Sequence, residues 1–388
     1  MGRYRATPVG DTIGGLPERV RLVVLYGGRS AEHEVSCVSA ASVLGALDPD
    51  RYDVVPVGIA PSGAWVLAEG ARAALEAGAR SLPASGPPVE TTEVLAATTP
   101  PGGRGGGGTT VVLPLLHGPL GEDGTVQGLL ELAGTAYVGS GVLGSALCMD
   151  KAAAKEVLAA AGLPQVRHLS WRDTGDVGDV AGRIDGELGW PVFVKPANLG
   201  SSVGISRVGG PHDLVAAIEL ARSYDEWLVV EEAVSAREIE CAVLGNLELE
   251  ASVPGEIVPR AEFYDFDDKY ADDGAELVVP AALAAEVAGE VRRLALAAAR
   301  ALRVEGMARV DFFYEEGGRG LLVNEVNTIP GFTPSSMFPR LWAASGLAYP
   351  ELLDRLVTLA LERHARRATR VGRPRSGGSG RARHQGGA

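Results

Sequence analysis

An α/β fold in two or three domains is what this chain predicts, on three observations. At 388 residues it is too long for one ordinary core. It opens with a short apolar strand, a glycine loop and an Ala/Ser/Val-rich helix, which is how an open α/β sheet begins. Later, two apolar strands face each other across Glu316-Gly317-Gly318, the pattern of an antiparallel hairpin.

The elements follow in order. Val20 to Tyr26 reads as the first strand, Gly27-Gly28 as the loop, and the helix runs to about Leu47. Val54 to Ile59 and Val111 to Leu116 are buried strands, separated by a weakly patterned connection that holds the glycine-rich run 102–108. Asp150 is placed to N-cap a helix from Lys151 to Ala161, with Gly162 as its stop. Pro191 to Lys195 and Val203 to Val208 flank a Gly/Ser loop, and Trp227 to Glu232 is a further strand. A long Ala-rich helix spans Ala281 to Arg303, the hairpin pairs Met307–Tyr314 with Gly320–Val326, and a last helix runs from Glu351 to about Arg366. Domain boundaries are expected near residues 140 and 234, giving a leader 1–19, domains 20–140, 141–234 and 235–365, and a basic tail 366–388.

Composition narrows the function. Hydrophobic residues make up 46% and charged residues 22%, as in globular proteins. The net charge is -13, and eight Arg with no acid follow from Arg363 onward, so residues 1–362 carry -21. An acidic body argues against nucleic acid as the main ligand, and the Arg/Gly/Ser tail reads as a solvated end. Three separated cysteines, Cys37, Cys148 and Cys241, suit a reducing cytoplasm rather than a disulfide framework or zinc site. No apolar run is long enough for a signal peptide or a membrane span. Only four lysines occur beside 32 arginines: Lys151, Lys155, Lys195 and Lys269. Where Arg serves generally, a retained Lys marks a place that needs a compact ammonium.

Five motifs carry chemistry. In the hairpin, alternation puts Arg309 and Asp311 on one face and Glu325 and Asn327 beside them on the partner strand. Three oxygen ligands there suit magnesium, and the Arg suits a phosphate or an oxyanion. A strand delivers Lys195 to the small-residue loop Ala197–Gly204, whose N–H groups can cradle phosphates; this is no Walker A loop, because the Lys precedes the glycines. Glu231-Glu232 ends a strand at the second domain joint, where nucleotides commonly bind. His117–Gly124 and Glu32 lie at the carboxyl edge of the first sheet, where ligands of open α/β sheets sit. Phe263–Tyr270 is aromatic, acidic and irregular, as a lid that excludes water would be.

Seven ordered segments make these motifs resemble one family: GGRSAEHEVS at 27–36, HGPLGEDGTVQG at 117–128, MDK at 149–151, VKPANLGSSVGI at 194–205, EFYDFDDKY at 262–270, ARVDFF at 308–313 and NEVNTIPGFTPSS at 324–336. Together, from Val20 to Arg363, they resemble the ATP-grasp superfamily and within it the D-alanine–D-alanine ligases. The resemblance implies three domains: an N-terminal open α/β domain followed by two α+β domains that clasp ATP. It implies that Lys151, Lys195, Ser201 and Ser202 hold the ATP phosphates, and that Glu231, Glu232 and Glu238 hold the nucleoside. Asp311, Glu325 and Asn327 would bind two Mg2+ or Mn2+ ions. Glu32 would grip the ammonium of the first D-alanine and His117 would lie near its carboxylate, while Lys269 and Ser336 would receive the carboxylate of the second. Arg309 and the Gly331 N–H would form the oxyanion site, and Ser201, Tyr270 and Glu32 a network that closes it. A cytoplasmic homodimer that acts on D-alanine and ATP, without nucleic acid or membrane insertion, is the corresponding expectation.

The rival readings are a D-alanine–D-lactate ligase, another ATP-grasp ligase and a non-catalytic nucleotide-binding regulator. The Lys269-Tyr270 pair favours an amine acceptor, and Glu32 with His117 favours D-alanine. The complete set Arg309, Asp311, Glu325 and Asn327 favours catalysis. A Rossmann dehydrogenase is disfavoured, because no G-x-G-x-x-G follows the first strand.

Overall fold

The computed structural model describes residues 19–68, 70–90, 94, 109–173, 178–259 and 275–369. The leader up to residue 18, the glycine run 102–108 and the segment 263–270 lie outside them.

Three sheets organise these residues. The first is built from β1 (Val20–Gly27), α1 (His33–Ala46), β2 (Tyr52–Ile59), β3 (Trp65–Leu67), α2 (Ala71–Glu76), β4 (Thr109–Pro114), α3 (Thr125–Leu132) and β5 (Ala136–Tyr137). Its strand order is β3-β2-β1-β4-β5, with β1, β2, β4 and β5 parallel and β3 antiparallel at the edge. The central strands read as near-continuous apolar runs because helices cover both faces of a parallel sheet. Each parallel strand delivers its following loop to the same edge, so Gly28–Glu32 and His117–Gly124 meet there.

The second sheet takes in α4 (Val142–Met149), α5 (Lys151–Ala160), β6 (His168–Arg172), α6 (Gly178–Arg183), β7 (Val192–Pro196), β8 (Ser206–Val208), α7 (Pro211–Arg222) and β9 (Trp227–Glu232), in the antiparallel order β6-β9-β7-β8. Asp150 caps α5 as expected, its carboxylate accepting from the Ala153 N–H at 2.9 Å. The third sheet comprises β10 (Arg237–Gly245), β11 (Leu249–Val258), β12 (Glu276–Val278), α8 (Ala285–Ala301), β13 (Gly306–Glu315) and β14 (Gly320–Asn327), in the order β12-β11-β10-β13-β14. The helices α9 (Met337–Ala344) and α10 (Tyr349–Ala368) follow it. In α8, Val291, Leu294, Ala295, Ala298 and Ala299 recur at helical spacing and are buried against this sheet.

The structure adjusts several expected elements. β3 and α2 fall in the connection after Ile59 and are too short to reveal a period in sequence. The strand expected over Val203–Val208 holds only Ser206–Val208, because Ser201, Ser202 and Gly204 take positive φ and form a turn. The long helix starts at Ala285 rather than Ala281.

The last helix extends to Ala368, so Arg366 and Arg367, expected in the solvated tail, are helical residues paired with Glu305 and Glu131. Arg363 is buried. Its guanidinium donates to the Gly139 and Tyr137 carbonyls at 2.5 and 3.0 Å and lies 4.0 Å from the Tyr137 ring centroid. Composition treats these arginines as part of one basic run, whereas they clamp α10 to the end of the first sheet. One apolar core continues across that contact, joining Val24 and Leu113 to Phe338, Leu353 and Val357.

Replacing Arg363 by Met is expected to lower stability by about 2–4 kcal/mol, since two buried carbonyls lose a charged donor. A fall in the denaturant midpoint at unchanged slope would verify this.

Candidate active site

The hairpin pairs so that the expected polar residues share one face. Register pairs Arg309 with Asn327 and Asp311 with Glu325. On the other side β10 places Glu240 opposite Asp311 and Ala242 opposite Arg309, so Glu238 and Glu240 join the same face. Arg309 donates from Nε to Asp311 Oδ1 and from Nη2 to Oδ2, both at 2.7 Å, and its Nε is 3.0 Å from Glu240 Oε2. Burial alone would lower the Arg309 pKa, but Asp311 and Glu240 outweigh it and hold the guanidinium firmly charged. The Asn327 amide donates to Asp311 Oδ2 at 2.9 Å.

A cavity of about 260 Å³ opens above this face. Ten of the expected site residues line it: Glu32, His117, Ser201, Glu238, Arg309, Asp311, Glu325, Asn327, Gly331 and Ser336. They come from all three sheets. Glu32 stands at the start of α1 and accepts from the Ser201 hydroxyl. A Cβ on Gly118 or on Gly200 would approach its Oε2 to 3.3 or 3.4 Å, so two glycines let the loops close round one carboxylate. Ser201 and Ser202 hold φ of +51° and +61°, a costly conformation for residues with a Cβ. Ser336 anchors the loop behind Gly331, its hydroxyl accepting from the Thr333 N–H at 3.1 Å. Lys269 and Tyr270 lie outside the described residues.

The loop after β4 is held by its own carboxylates. Glu122 accepts from the Gly118 N–H and Asp123 from the Leu120 N–H, each at 2.8 Å, and Gln127 donates to the Gly121 carbonyl. His117 Nδ1 bonds the Ile329 carbonyl at 3.0 Å, which makes Nδ1 the protonated nitrogen and leaves Nε2 as an acceptor. Burial holds the imidazole below its usual pKa, so it is neutral at physiological pH. Sequence reading assigns no role to Glu122, although it lies inside the quoted motif. Burial and then the nearby Glu32 raise its pKa to about 8.

The lysines lie toward the second sheet. Lys151 donates to the Leu199 carbonyl at 2.5 Å and is 3.5 Å from Glu325. Lys195 is 2.5 Å from one oxygen of Glu231, and Lys155 is 2.8 Å from the other. The Glu231 carboxylate is thus engaged on both oxygens by two buried ammoniums. Those cations outweigh the effect of burial and hold its pKa far below the usual range. Glu232, on the opposite face, is engaged by Arg167 and Arg319. Glu238 lines the cavity. Lys155 and Glu240 are members of the site that sequence reading missed. The alternation Glu238-Ile239-Glu240 and the position of Lys155 one helical turn after Lys151 were the available signals.

The donor set fits a divalent cation. Glu238, Glu240, Asp311 and Glu325 are four carboxylates on one face, against Arg309 and Lys151 as cations, which leaves an excess of two negative charges. Among the described residues no three His, Cys, Asp or Glu side chains already converge at ligating distance. Phosphate oxygens would have to complete the shell, as they commonly do for magnesium.

Two outcomes follow. Glu231→Ala would leave two buried lysines unpaired and is expected to cost about 3–5 kcal/mol in chemical denaturation near pH 7. The native pairing stabilises above the unfolded carboxylate pKa and is lost as pH falls through the depressed folded one, so the variant's deficit should shrink in acid. Glu122 has the opposite sign. Its folded pKa exceeds the unfolded one, so its contribution worsens as pH rises from about 4.5 to about 8. Glu122→Gln is expected to flatten that decline in a melting-temperature profile over the same window.

Comparison with known proteins places this geometry. The family model described as D-ala D-ala ligase N-terminus matches residues 21–140, and D-ala D-ala ligase C-terminus matches residues 157–358. A D-alanine–D-alanine ligase of Arthrobacter sp. (strain FB24) is 50% identical over 362 residues, 88% of this chain and 94% of the relative. That of Mycolicibacterium gilvum is 49% identical over 365 residues, 89% and 98% of the two chains. The solved D-alanine–D-alanine ligase of Coxiella burnetii superposes with a TM-score of 0.77 at 35% identity, over 92% of this chain and 97% of that one. The VanG D-Ala:D-Ser ligase of Enterococcus faecalis gives 0.76, also at 35%, over 88% and 99%. Since the two family models cover the sheets that build the cavity and the relatives align nearly end to end, the chain belongs to the D-alanine–D-alanine ligase family.

Proposed function

We propose that this chain uses ATP to activate the carboxylate of one D-alanine and joins it to the amine of a second, giving D-alanyl-D-alanine for peptidoglycan precursors. The observation that carries the reading is one cavity in which Arg309 faces Glu32, Ser201 and His117. Those groups suit an amino acid's ammonium on one side and a developing oxyanion on the other.

The roles follow from charge. Glu32, fixed by the Ser201 hydroxyl, offers a carboxylate to the first ammonium. Neutral His117 presents an acceptor without adding charge. A carboxylate oxygen of that substrate takes the γ-phosphoryl group of ATP and ADP leaves, giving an acyl phosphate. Lys151 and Lys195 gather the phosphates and offset the repulsion between two anions. The second D-alanine's amine attacks the acyl carbon, loses a proton, and phosphate departs with the acyl oxygen. Arg309 and the Gly331 N–H hold the tetrahedral oxyanion. Ser336, with Lys269, receives the second carboxylate. Asp311, Glu325 and Asn327 would hold magnesium, whose charge neutralises the transferring phosphoryl group when it is bound. The second D-alanine is favoured over D-lactate by relatives at 50% and 46% identity, both D-alanine–D-alanine ligases.

The decisive test is incubation with ATP, Mg2+ and D-alanine, following ADP, phosphate and dipeptide together, with L-alanine and D-alanine plus D-lactate in parallel. One ADP per D-alanyl-D-alanine, and none with L-alanine, is expected. ATP binding without dipeptide would overturn the assignment. Arg309→Ala is expected to lower kcat by roughly 10²–10³-fold, the usual cost of one oxyanion donor.

A further inference from the structure

Composition singles out four lysines, and the function above uses three of them. The fourth, Lys155, is 1% exposed, less accessible than Glu231 or Lys195. It extends from α5 one helical turn beyond Lys151, on the same helix face. Ala154 and Leu158 of the same helix pack into the core of the third sheet, so its position is set from that side. Its ammonium reaches the second sheet and ion-pairs with Glu231 Oε1 at 2.8 Å. The other oxygen, Oε2, accepts from Lys195 at 2.5 Å.

Two ammoniums therefore share one carboxylate, and the trio keeps a net charge of +1. The side chains in register with Glu231 do not offset it, and the further carboxylates that act on Lys195, Glu238 and Glu325, belong to the acidic face of the cavity. Register sets Glu231 between Phe193 and His168, and His168 is kept neutral, first by burial and then by Lys155 itself. Without Lys155, Glu231 and Lys195 would form a closed neutral pair in a desolvated pocket. A phosphate would then have to compete with a buried carboxylate for the Lys195 ammonium.

We propose that Lys155 is a positioning residue for Lys195: by offsetting Glu231 from behind, it leaves more of the Lys195 charge available to the nucleotide's phosphates. The inference rests on the ATP reading given above.

Isothermal titration of ATP and of adenosine, each without D-alanine, separates charge from structure. In Lys155→Met, ATP is expected to bind roughly tenfold or more weakly while adenosine stays within about twofold, because only the phosphates sense the lost charge. In the dipeptide assay the loss should fall on KM for ATP rather than on kcat or KM for D-alanine. Lys155→Arg, which keeps the charge, should restore most of the ATP-to-adenosine ratio. An unchanged ratio in Lys155→Met, whatever its melting temperature, would overturn the proposal, as would an equal loss in Lys155→Arg. Should Lys155→Met fail to fold, Lys155→Gln carries the same expectation. Wild-type protein that binds neither ligand would instead overturn the ATP reading, and this inference with it.

Discussion

Strand register in the third sheet is the constraint on which the site depends. Asp311 is paired with Glu325, Arg309 with Asn327, and Glu240 lies across from Asp311 on the other neighbour. A slip of one residue in β13 would turn Arg309 and Asp311 into the apolar core and present Val310 and Phe312 to the cavity. The cost of that slip is high, because Val310, Phe312 and Val323 are buried on the opposite face against α8. The alternation that packs the core is therefore the same alternation that aims the charges. The irregularity in pairing after Asp311 falls at the end of the polar set, where the strand no longer has to serve the cavity.

Burying charge on that scale requires that each charge meet another. Arg309 is bracketed by Asp311 and Glu240, Lys195 and Lys155 by Glu231, and Glu232 by Arg167 and Arg319. Replacing such pairs by apolar residues often leaves stability unchanged or better, so their persistence points to a task other than holding the fold. Substrates that carry carboxylates and phosphates provide one. Each ligand group that arrives can take over a bond already present between protein groups.

Much of this was legible in the sequence, and the parts that were not share a cause. Periodicity located β1, β7, β9, the hairpin and α5 with its Asp150 cap, because each is a local pattern bounded by glycine, proline or a capping residue. It also placed Arg309, Asp311, Glu325 and Asn327 on one face, since spacing by two residues suffices for that. What it could not give were partners distant in sequence. Glu231 reads as an accessible strand-end carboxylate until Lys155 and Lys195 arrive from other elements. Arg363, Arg366 and Arg367 read as part of a solvated basic run until Tyr137, Gly139, Glu131 and Glu305 are brought beside them. Glu122 sits within a quoted motif, but its shifted pKa depends on burial and on Glu32, neither of which is a local property.

The three sheets are joined by two different kinds of contact. The first and third share one apolar core and the Arg363 clamp, so Glu32, His117 and Arg309 are held on a common frame. The second sheet has its own core, centred on Val192, Val194, Ile218 and Val230, and meets the frame through Ser201 with Glu32 at the cavity, through Glu231 with Lys155 of α5, and through Glu232 with Arg319 outside the cavity. Apolar burial has no geometric alternative partner in a ligand, whereas each of these polar contacts does. The amino-acid subsite is thus built where the fold is least able to rearrange. The lysines for the nucleotide meet it across bonds that a phosphate, a metal ion or an ammonium can replace one at a time.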